Sequence, residues 1–309
     1  MKSIVTLTLN PSIDGSAQAE TVRPILKVRT VDERYDPGGG GINVARVVRE
    51  LGGSTLALYL AGGATGAVLD DLLAAAAIPQ RRFPITNHTR ISHAVFEWSS
   101  GLEYRFVPEG PVVAEAEWRA CLAALDKIDC DYLVASGSLP RGVPADFYAL
   151  VREITRRKGI RLVLDTSGPA LRAGMGDGVH LIKPSLGEFE ALVGRKLPLA
   201  TEQETAARDL VASGAAEIIA LTLGRDGALL VTPEQSLRLT PPEVPVKSAT
   251  GAGDSFLAAM TLGLAEGRAV EDAFIYGMAA GTAAVLTAGT GLCRREDVER
   301  LYKEIQERR

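Results

Sequence analysis

Three stretches of this chain combine residue types that could do chemistry. The first is Ala249-Thr-Gly-Ala-Gly-Asp-Ser-Phe-Leu-Ala-Ala-Met, where two glycines and small residues lead straight into an apolar helix. Gly251 and Gly253 let the backbone come close to a ligand, and the unpaired amides of a first helical turn point at it, so this segment has the make-up of an anion cradle. Negative charge developing on a transferring phosphoryl group would be stabilised there. Asp254, in the same turn, is placed to take the proton from an attacking hydroxyl. The plainer role for such an acid is to complement the helix dipole.

The second stretch is Asp36-Pro-Gly-Gly-Gly-Gly-Ile-Asn-Val-Ala-Arg, four consecutive glycines before an amphipathic helix that runs to Leu51. Ordering so much glycine costs entropy, which points to close ligand approach or to unusual dihedrals. Asn43, at the helix start, could hydrogen-bond a sugar hydroxyl or simply act as a cap. The glycines lack the spacing of a dinucleotide-binding turn, and no Gly-Lys-Ser/Thr phosphate loop occurs. The third stretch, Asn10-Pro-Ser-Ile-Asp14, follows the first strand. A strand's carboxyl end opens onto the ligand crevice of an α/β sheet, so Asp14 could anchor sugar hydroxyls; the alternative is a turn-forming Asp after Pro.

The elements that must position these residues read as an α/β body. Met1 to Leu9 and then Thr55–Ala61, Tyr132–Ser136, Arg161–Asp165, Val179–Ile182 and Glu217–Leu223 are the expected strands. Between them Gly66–Ala77, Glu115–Leu125, Ala145–Lys158 and Thr201–Ser213 carry apolar residues at helical spacing, and Thr201 with Glu204 is read as a capping box. That alternation gives a parallel sheet with helices on both faces. Beyond Ala252 the pattern is helical nearly to the end, with an Ala- and Gly-rich, closely packed Val270–Ala288 and a charged Arg295–Arg309 read as a solvated surface helix. Residues 15–36 and 89–107 alternate like strands instead and are expected to pair as one small sheet projecting from the body. The expectation is one domain, residues 1–309, with this discontinuous β lid. An exposed sheet needs its apolar face covered, which makes a homodimer through the lids a reasonable arrangement.

Bulk properties narrow the classes of function. With 309 residues, 46% of them hydrophobic, the chain can bury a large core. A net charge of −4 and a pI near 5.6, with basic residues scattered, give no footprint for nucleic acid or an anionic membrane, so anionic substrates must be met locally. Cys121, Cys130 and Cys293 form neither a disulfide framework nor a zinc spacing. No signal segment or long apolar span is expected, and the default location is the cytoplasm. His88, His93 and His180 lack metal-binding spacing; Trp98 and Trp118 are read as lid and core packing.

Taken in order, Asp14, Gly38–Asn43, Gly137-Ser138-Leu-Pro, Lys183-Pro, Glu188, Thr222-Leu-Gly and Gly251-Ala-Gly-Asp254 resemble the ribokinase-like sugar kinases over nearly the whole chain. Pro37-Gly-Gly-Gly-Gly-Ile-Asn-Val-Ala-Arg is similar to the minor bacterial 6-phosphofructokinase branch; 1-phosphofructokinase relatives usually have a lysine in that run, absent here. The resemblance implies a three-layer α/β/α body with a β-sheet lid and ATP-dependent phosphorylation of fructose 6-phosphate at its C1 hydroxyl. Asp254 would be the base, and the amides of Gly251, Ala252 and Gly253 the anion hole. Asp14, Gly39, Asn43 and Ser138 would hold the sugar, and Arg90 and Arg105 its phosphate. Lys183, Thr222, Gly224 and Ser248 to Thr250 fall where the family contacts ATP, as does Lys27 in the first lid segment. Tagatose-6-phosphate kinase and 1-phosphofructokinase are the alternatives within the class. A nucleoside or neutral-sugar kinase and a non-catalytic sensor on this fold lie outside it.

Two departures stand out. The family usually has Asn-x-x-Glu, which organises magnesium through water, whereas this chain has Ser185-Leu-Gly-Glu188. A serine hydroxyl can still bond a metal-bound water, so Mg2+ dependence is expected, with Glu188 acting through water. Ser248 stands where many members place an aspartate near a monovalent-cation site, which leaves K+ activation open.

Overall fold

The computed structural model describes residues 2–308, so Met1 and Arg309, the outer ends of the expected first strand and last helix, lie outside the described residues. In chain order the strands are β1 (Ile4–Thr8), β2 (Ser12–Ala19), β3 (Val31–Gly38), β4 (Thr55–Gly62), β5 (Gln80–Ile85), β6 (Arg90–Glu97), β7 (Leu102–Phe106), β8 (Tyr132–Ser136), β9 (Arg161–Asp165), β10 (Val179–Ile182), β11 (Ile218–Thr222), β12 (Ala228–Val231) and β13 (Ser236–Leu239). The helices are α1 (Gly40–Glu50), α2 (Gly63–Ala75), α3 (Glu115–Leu125), α4 (Phe147–Lys158), α5 (Gly168–Gly174), α6 (Leu186–Val193), α7 (Ala200–Ala212), α8 (Ala252–Glu266), α9 (Val270–Ala284) and α10 (Arg295–Glu307).

A 9-stranded sheet in the order β13-β12-β11-β10-β9-β8-β1-β4-β5 forms the body. From β11 to β5 neighbours run parallel, as β-helix-β crossovers require; β12 and β13 return antiparallel at one edge. Side chains alternate between the faces because successive residues of a strand point to opposite sides. Leu7, Leu133, Leu162, Ile219 and Leu229 pack with residues of α3 to α7, including Trp118, Phe147, Phe189 and Val211. Ile4, Val134, Val163, Ala220 and Leu230 pack with α1, α8, α9 and α10 on the other face. Burial on both faces is why these strands read as near-continuous apolar runs.

The expected strands and longer helices are present. Three readings change. Thr201 and Glu204 do not cap α7: its cap is Leu199, whose N–H donates to Glu202, while Glu204 turns to Arg208. Helix α10 is not wholly solvated, since Val298, Leu301 and Ile305 are buried on α9's side of the sheet. The Ala- and Gly-rich helix stops at Ala284, giving a loop from 285 to 294. Its close packing is real: a β-carbon at Gly277 would lie 2.9 Å from the carbonyl of Phe256 on α8.

The second sheet has four strands in the order β3-β2-β6-β7, with β2 antiparallel to β3 and parallel to β6. It leaves the body directly after β1 and again after β5 and stands as a lid. Trp98, at its rim, is half exposed and donates to Gln18, whereas Trp118 is buried in the core.

Candidate active site

The candidate residues converge at the carboxyl ends of the parallel strands. Asn10 to Asp14 follow β1, Ser136 to Ser138 end β8, Asp165 ends β9, Lys183 to Ser185 follow β10 and Thr222 ends β11. Strand dipoles contribute little there; the chemistry comes from the loops and helix starts the strands deliver.

The start of α8 has the predicted form. Gly251 is its cap in the left-handed region, with φ 74°, where glycine carries no side-chain penalty. Among the described residues the N–H groups of Gly251, Gly253 and Asp254 meet no backbone acceptor, while that of Ala252 reaches the Ala249 carbonyl at 3.4 Å. The cradle's free donors are therefore chiefly those of the two glycines and Asp254. Lys183 closes one side: a β-carbon at Gly253 would lie 3.2 Å from its Nζ.

Asp254 does not cap its own helix. Its Oδ2 accepts from Asn43 Nδ2 at 2.9 Å, while its place in the first turn also complements the helix dipole. Burial pushes its carboxyl up to about 7, with the Asp165 charge adding to the push and the Asn43 bond and Lys183 opposing it. A carboxyl held near neutrality is suited to accept a proton in one step and release it afterwards.

Lys183 Nζ stands 3.2 Å from Asp165 Oδ1, and both side chains are well shielded. Burial works against the charge on Lys183, but Asp165 and then Asp254 outweigh it and hold the ammonium charged. Asp165 also accepts from Ser136 Oγ at 3.3 Å. Sequence reading missed Asp165, although its place at the end of a predicted strand was a usable signal.

On the lid side, Asp14 Oδ1 accepts from Ser12 Oγ at 2.5 Å. Burial raises the Asp14 carboxyl; Ser12, Arg90, Arg46 and Arg105 pull it back. Gly38 lies against that carboxylate, and a β-carbon there would fall 2.0 Å from Asp14 Oδ2. Gly39 adopts φ 107°, so it needs glycine on conformational grounds. Gly40 and Gly41 instead abut Ser136 and Thr8. The four glycines thus divide between the pocket wall and the packing of α1 on the sheet.

Arg90 donates to the carbonyls of Asn10 at 2.8 Å and Pro108 at 2.9 Å. Arg105, on β7, is exposed and its side chain makes no hydrogen bond or ion pair among the described residues, yet its charge reaches Asp14. Ser138 Oγ accepts from Asn10 Nδ2 at 3.1 Å. Lys27 stays apart from this cluster, exposed in the connection between β2 and β3.

On the other side of the cradle, Ser185 caps α6: its N–H and Oγ both donate to Glu188 Oε2, at 2.8 and 2.7 Å. Glu188 Oε1 makes no hydrogen bond among the described residues. Thr222 donates its hydroxyl to Pro184 O, Gly224 opens a 3-10 turn with open space where a β-carbon would project, and Ser248 Oγ accepts from the Thr250 N–H. His180 pairs with Glu217, away from these groups.

The sequence model of the pfkB family carbohydrate kinase matches residues 8–297. The chain is 45% identical over 302 residues to the ATP-dependent 6-phosphofructokinase isozyme 2 of Mycobacterium tuberculosis, covering 97% of this chain and 89% of that one. It is 40% identical over 304 residues to the isozyme of the same name from Escherichia coli, covering 98% of each. The crystal structure of phosphofructokinase-2 from Escherichia coli in complex with potassium matches with a TM-score of 0.95 at 40% identity. Its complex with fructose-6-phosphate gives 0.93 at 39%, and both cover 99% of this chain and 100% of theirs.

Proposed function

Because this chain belongs to the pfkB family of carbohydrate kinases, we propose that it transfers the γ-phosphoryl group of ATP to the C1 hydroxyl of fructose 6-phosphate. The observation that carries this reading is the placing of Asp254. Its carboxyl sits at the mouth of an anion cradle, bonded to Asn43 on the lid side and facing Lys183 on the other. In the step, the C1 oxygen attacks the γ-phosphorus in line, its proton passes to Asp254, and the bond to ADP breaks with its electrons on the leaving oxygen. The free N–H groups at the start of α8 and the Lys183 ammonium meet the charge on the transferring oxygens. Asp14, Gly39, Asn43 and Ser138 hold the sugar, and Arg90 and Arg105 reach its phosphate from the lid. Lys183, Ser185, Thr222, Gly224, Ser248 and Thr250 serve the nucleotide, and Lys27, exposed in the connection between β2 and β3, is assigned to it on the family resemblance alone.

The donor set also fits Mg2+. Glu188 keeps one carboxylate oxygen free of protein partners while Ser185 fixes the other, an arrangement suited to a water ligand of a hard cation. Bound there with ATP, the ion would neutralise phosphate charge. Ser248 brings no charge, so a potassium ion near it would be held by uncharged oxygens.

We also infer a homodimer through the lids. Val31 and Tyr35 on β3 and Leu102 and Phe106 on β7, the two edge strands of the lid, are 47%, 48%, 59% and 58% exposed, more apolar surface than a free sheet sustains comfortably. Phe106→Asp should shift the species to monomer in size-exclusion chromatography. Among the described residues no helix is long and apolar enough to cross a membrane, and a cytoplasmic location follows from the use of ATP.

The deciding experiment is ADP release with ATP and Mg2+ on fructose 6-phosphate, fructose 1-phosphate, tagatose 6-phosphate and unphosphorylated fructose. Preference for the first supports the proposal. Preference for fructose 1-phosphate or tagatose 6-phosphate moves the chain to those branches of the family, and turnover of none removes the kinase reading.

A further inference from the structure

Arg46 has no part in the reaction as described so far. It sits on α1 one turn after Asn43, with its side chain only 14% exposed. Nη1 donates to Asn43 Oδ1 at 3.2 Å and to the Pro37 carbonyl at 2.9 Å, and Nη2 reaches Asp36 Oδ1 at 3.3 Å. Asp36 is buried and also accepts from Arg34 and from Thr290 Oγ1, at 2.9 and 2.7 Å. Asn43 carries the chain on to Asp254.

The logic is one of donors and acceptors. An asparagine amide has an accepting end and a donating end, and nothing in the residue itself decides which faces a carboxylate. Turned the wrong way, Oδ1 would repel Asp254 and the buried carboxylate would lose its partner. A guanidinium has donors only, so Arg46 can meet only Oδ1, and Nδ2 is left facing the base.

A second observation ties this arrangement to the lid. The loop from 285 to 294 places Thr290 on Asp36 of β3 and Gly289 against β2, where a β-carbon would lie 3.1 Å from Ser16 Cβ. The same loop sets Leu292 against Gly251, with 2.4 Å from a β-carbon there to Leu292 Cδ2. One short loop therefore touches two of the lid strands, β2 and β3, and the cap of the anion cradle.

We propose that Arg46 is a positioning residue for the phosphoryl transfer: it locks Asn43 with its amide nitrogen toward Asp254 and, through Asp36 and Thr290, makes that orientation depend on the seating of the lid. This rests on the reading of Asp254 as base. The charged groups facing Asp254 are Asp165 from β9, Lys183 after β10 and Asp14 from β2, with Arg46 approaching from α1. Replacing Arg46 leaves Asp165 and Lys183 in place and removes the contact of α1 with Asp36, together with a charge that also reaches Asp14.

The test is a double-mutant cycle with Arg46→Met and Asn43→Ala in the full-length enzyme, with Asp254→Asn as reference. For each variant, kcat, KM for sugar phosphate and for ATP, and the pH profile of kcat are measured. Arg46→Met should lower kcat by about 10- to 100-fold, the scale of a small misplacement of a reacting group. Either KM should change far less. Its acidic limb should move to higher pH, because the bond from Asn43 favours the ionised carboxylate. In the Asn43→Ala background, Arg46→Met should add little. Effects that multiply, or a loss of kcat with an unmoved acidic limb, would make Arg46 a merely structural residue and overturn the proposal. If Arg46→Met does not fold, Arg46→Lys, which keeps the charge but not the fork of donors, carries the same cycle. An active Asp254→Asn would instead remove the base assignment, whereas an inactive one beside a normal Arg46→Met would remove this inference alone.

Discussion

Asn43 Nδ2 donates to Asp254 Oδ2 across 2.9 Å, joining the first turns of two helices whose contact residues are 211 positions apart in the chain. The bond means that one side of the base is already solvated by protein when substrate arrives. Asp254→Asn should lower kcat by about 10²- to 10⁴-fold, the usual contribution of a general base. Asp254 must be ionised to act, and burial pushes its carboxyl up to about 7. Activity should accordingly fall as pH drops below neutrality and level off above it; a rate unchanged between slightly acid and slightly alkaline pH would contradict the assignment.

The same burial has a cost in stability. The ordinary value of an aspartate is 3.8 and Asp254 stands near 7, so between these limits the folded protein binds a proton that the unfolded chain has released. Stability contributed by this group is present at low pH and declines as pH rises through the window. Asp254→Asn should be more stable than the parent at pH 8, by on the order of 2–4 kcal/mol. That difference should shrink towards pH 4 in thermal or urea unfolding.

Lys183 and Asp165 form a shielded ion pair at 3.2 Å, and removing one member strands the other. Lys183→Met should destabilise the fold by about 3–5 kcal/mol. Adding Asp165→Asn should restore most of that loss without restoring turnover. A single variant as stable as the parent would show that the pair is better hydrated than its burial implies.

Glu188 has two jobs that one substitution separates. Glutamine can still accept the Ser185 N–H and keep the cap of α6, so Glu188→Gln should unfold within about 1 kcal/mol of the parent. It should nevertheless need more Mg2+ for half-maximal rate. If the magnesium requirement stays put, the ion is held elsewhere.

Arg90 and Arg105 should both raise KM for the sugar phosphate when changed to Ala while leaving KM for ATP nearly unchanged. They should differ in stability. Arg90 satisfies two backbone carbonyls, so its loss should cost about 1–3 kcal/mol. Arg105 makes no such bonds, and its loss should be close to neutral.

Much of the body was legible in the sequence because parallel strands buried on two faces leave unbroken apolar runs, as in Tyr132–Ser136 and Arg161–Asp165. The parts that escaped have physical reasons. Strand β5, Gln80-Arg-Arg-Phe-Pro-Ile85, lies at a sheet edge, where charges and Pro84 are tolerated and the apolar signal is diluted. Strands β12 and β13 are only 4 residues each. In the site, Asp254, Asn43 and Asp14 announced themselves through neighbouring glycines or a strand end. Asp165, Asp36 and Arg46 did not, since their importance lies in partners brought to them by folding: Lys183 and Ser136 for the first, Thr290 for the second, Asn43 for the third.

The lid sheet is closed by β2 lying beside β6, with Ser12 opposite Arg90 and Ala19 opposite Glu97. Between these strands in the chain come the lid strand β3 and then α1, β4, α2 and β5, which are part of the body. The lid's central pairing therefore cannot form until that stretch has folded and brought its ends together, and loop closure over such a distance is slow to repay its entropy. Assembly should run from body to lid, and unfolding should begin by peeling the lid away. In native-state hydrogen exchange, amides of β2, β3, β6 and β7 would then trade with solvent through openings that leave β1 and β8 protected. The surface that seats the substrate would be the part of the molecule in place for the smallest share of the time until a ligand holds it there.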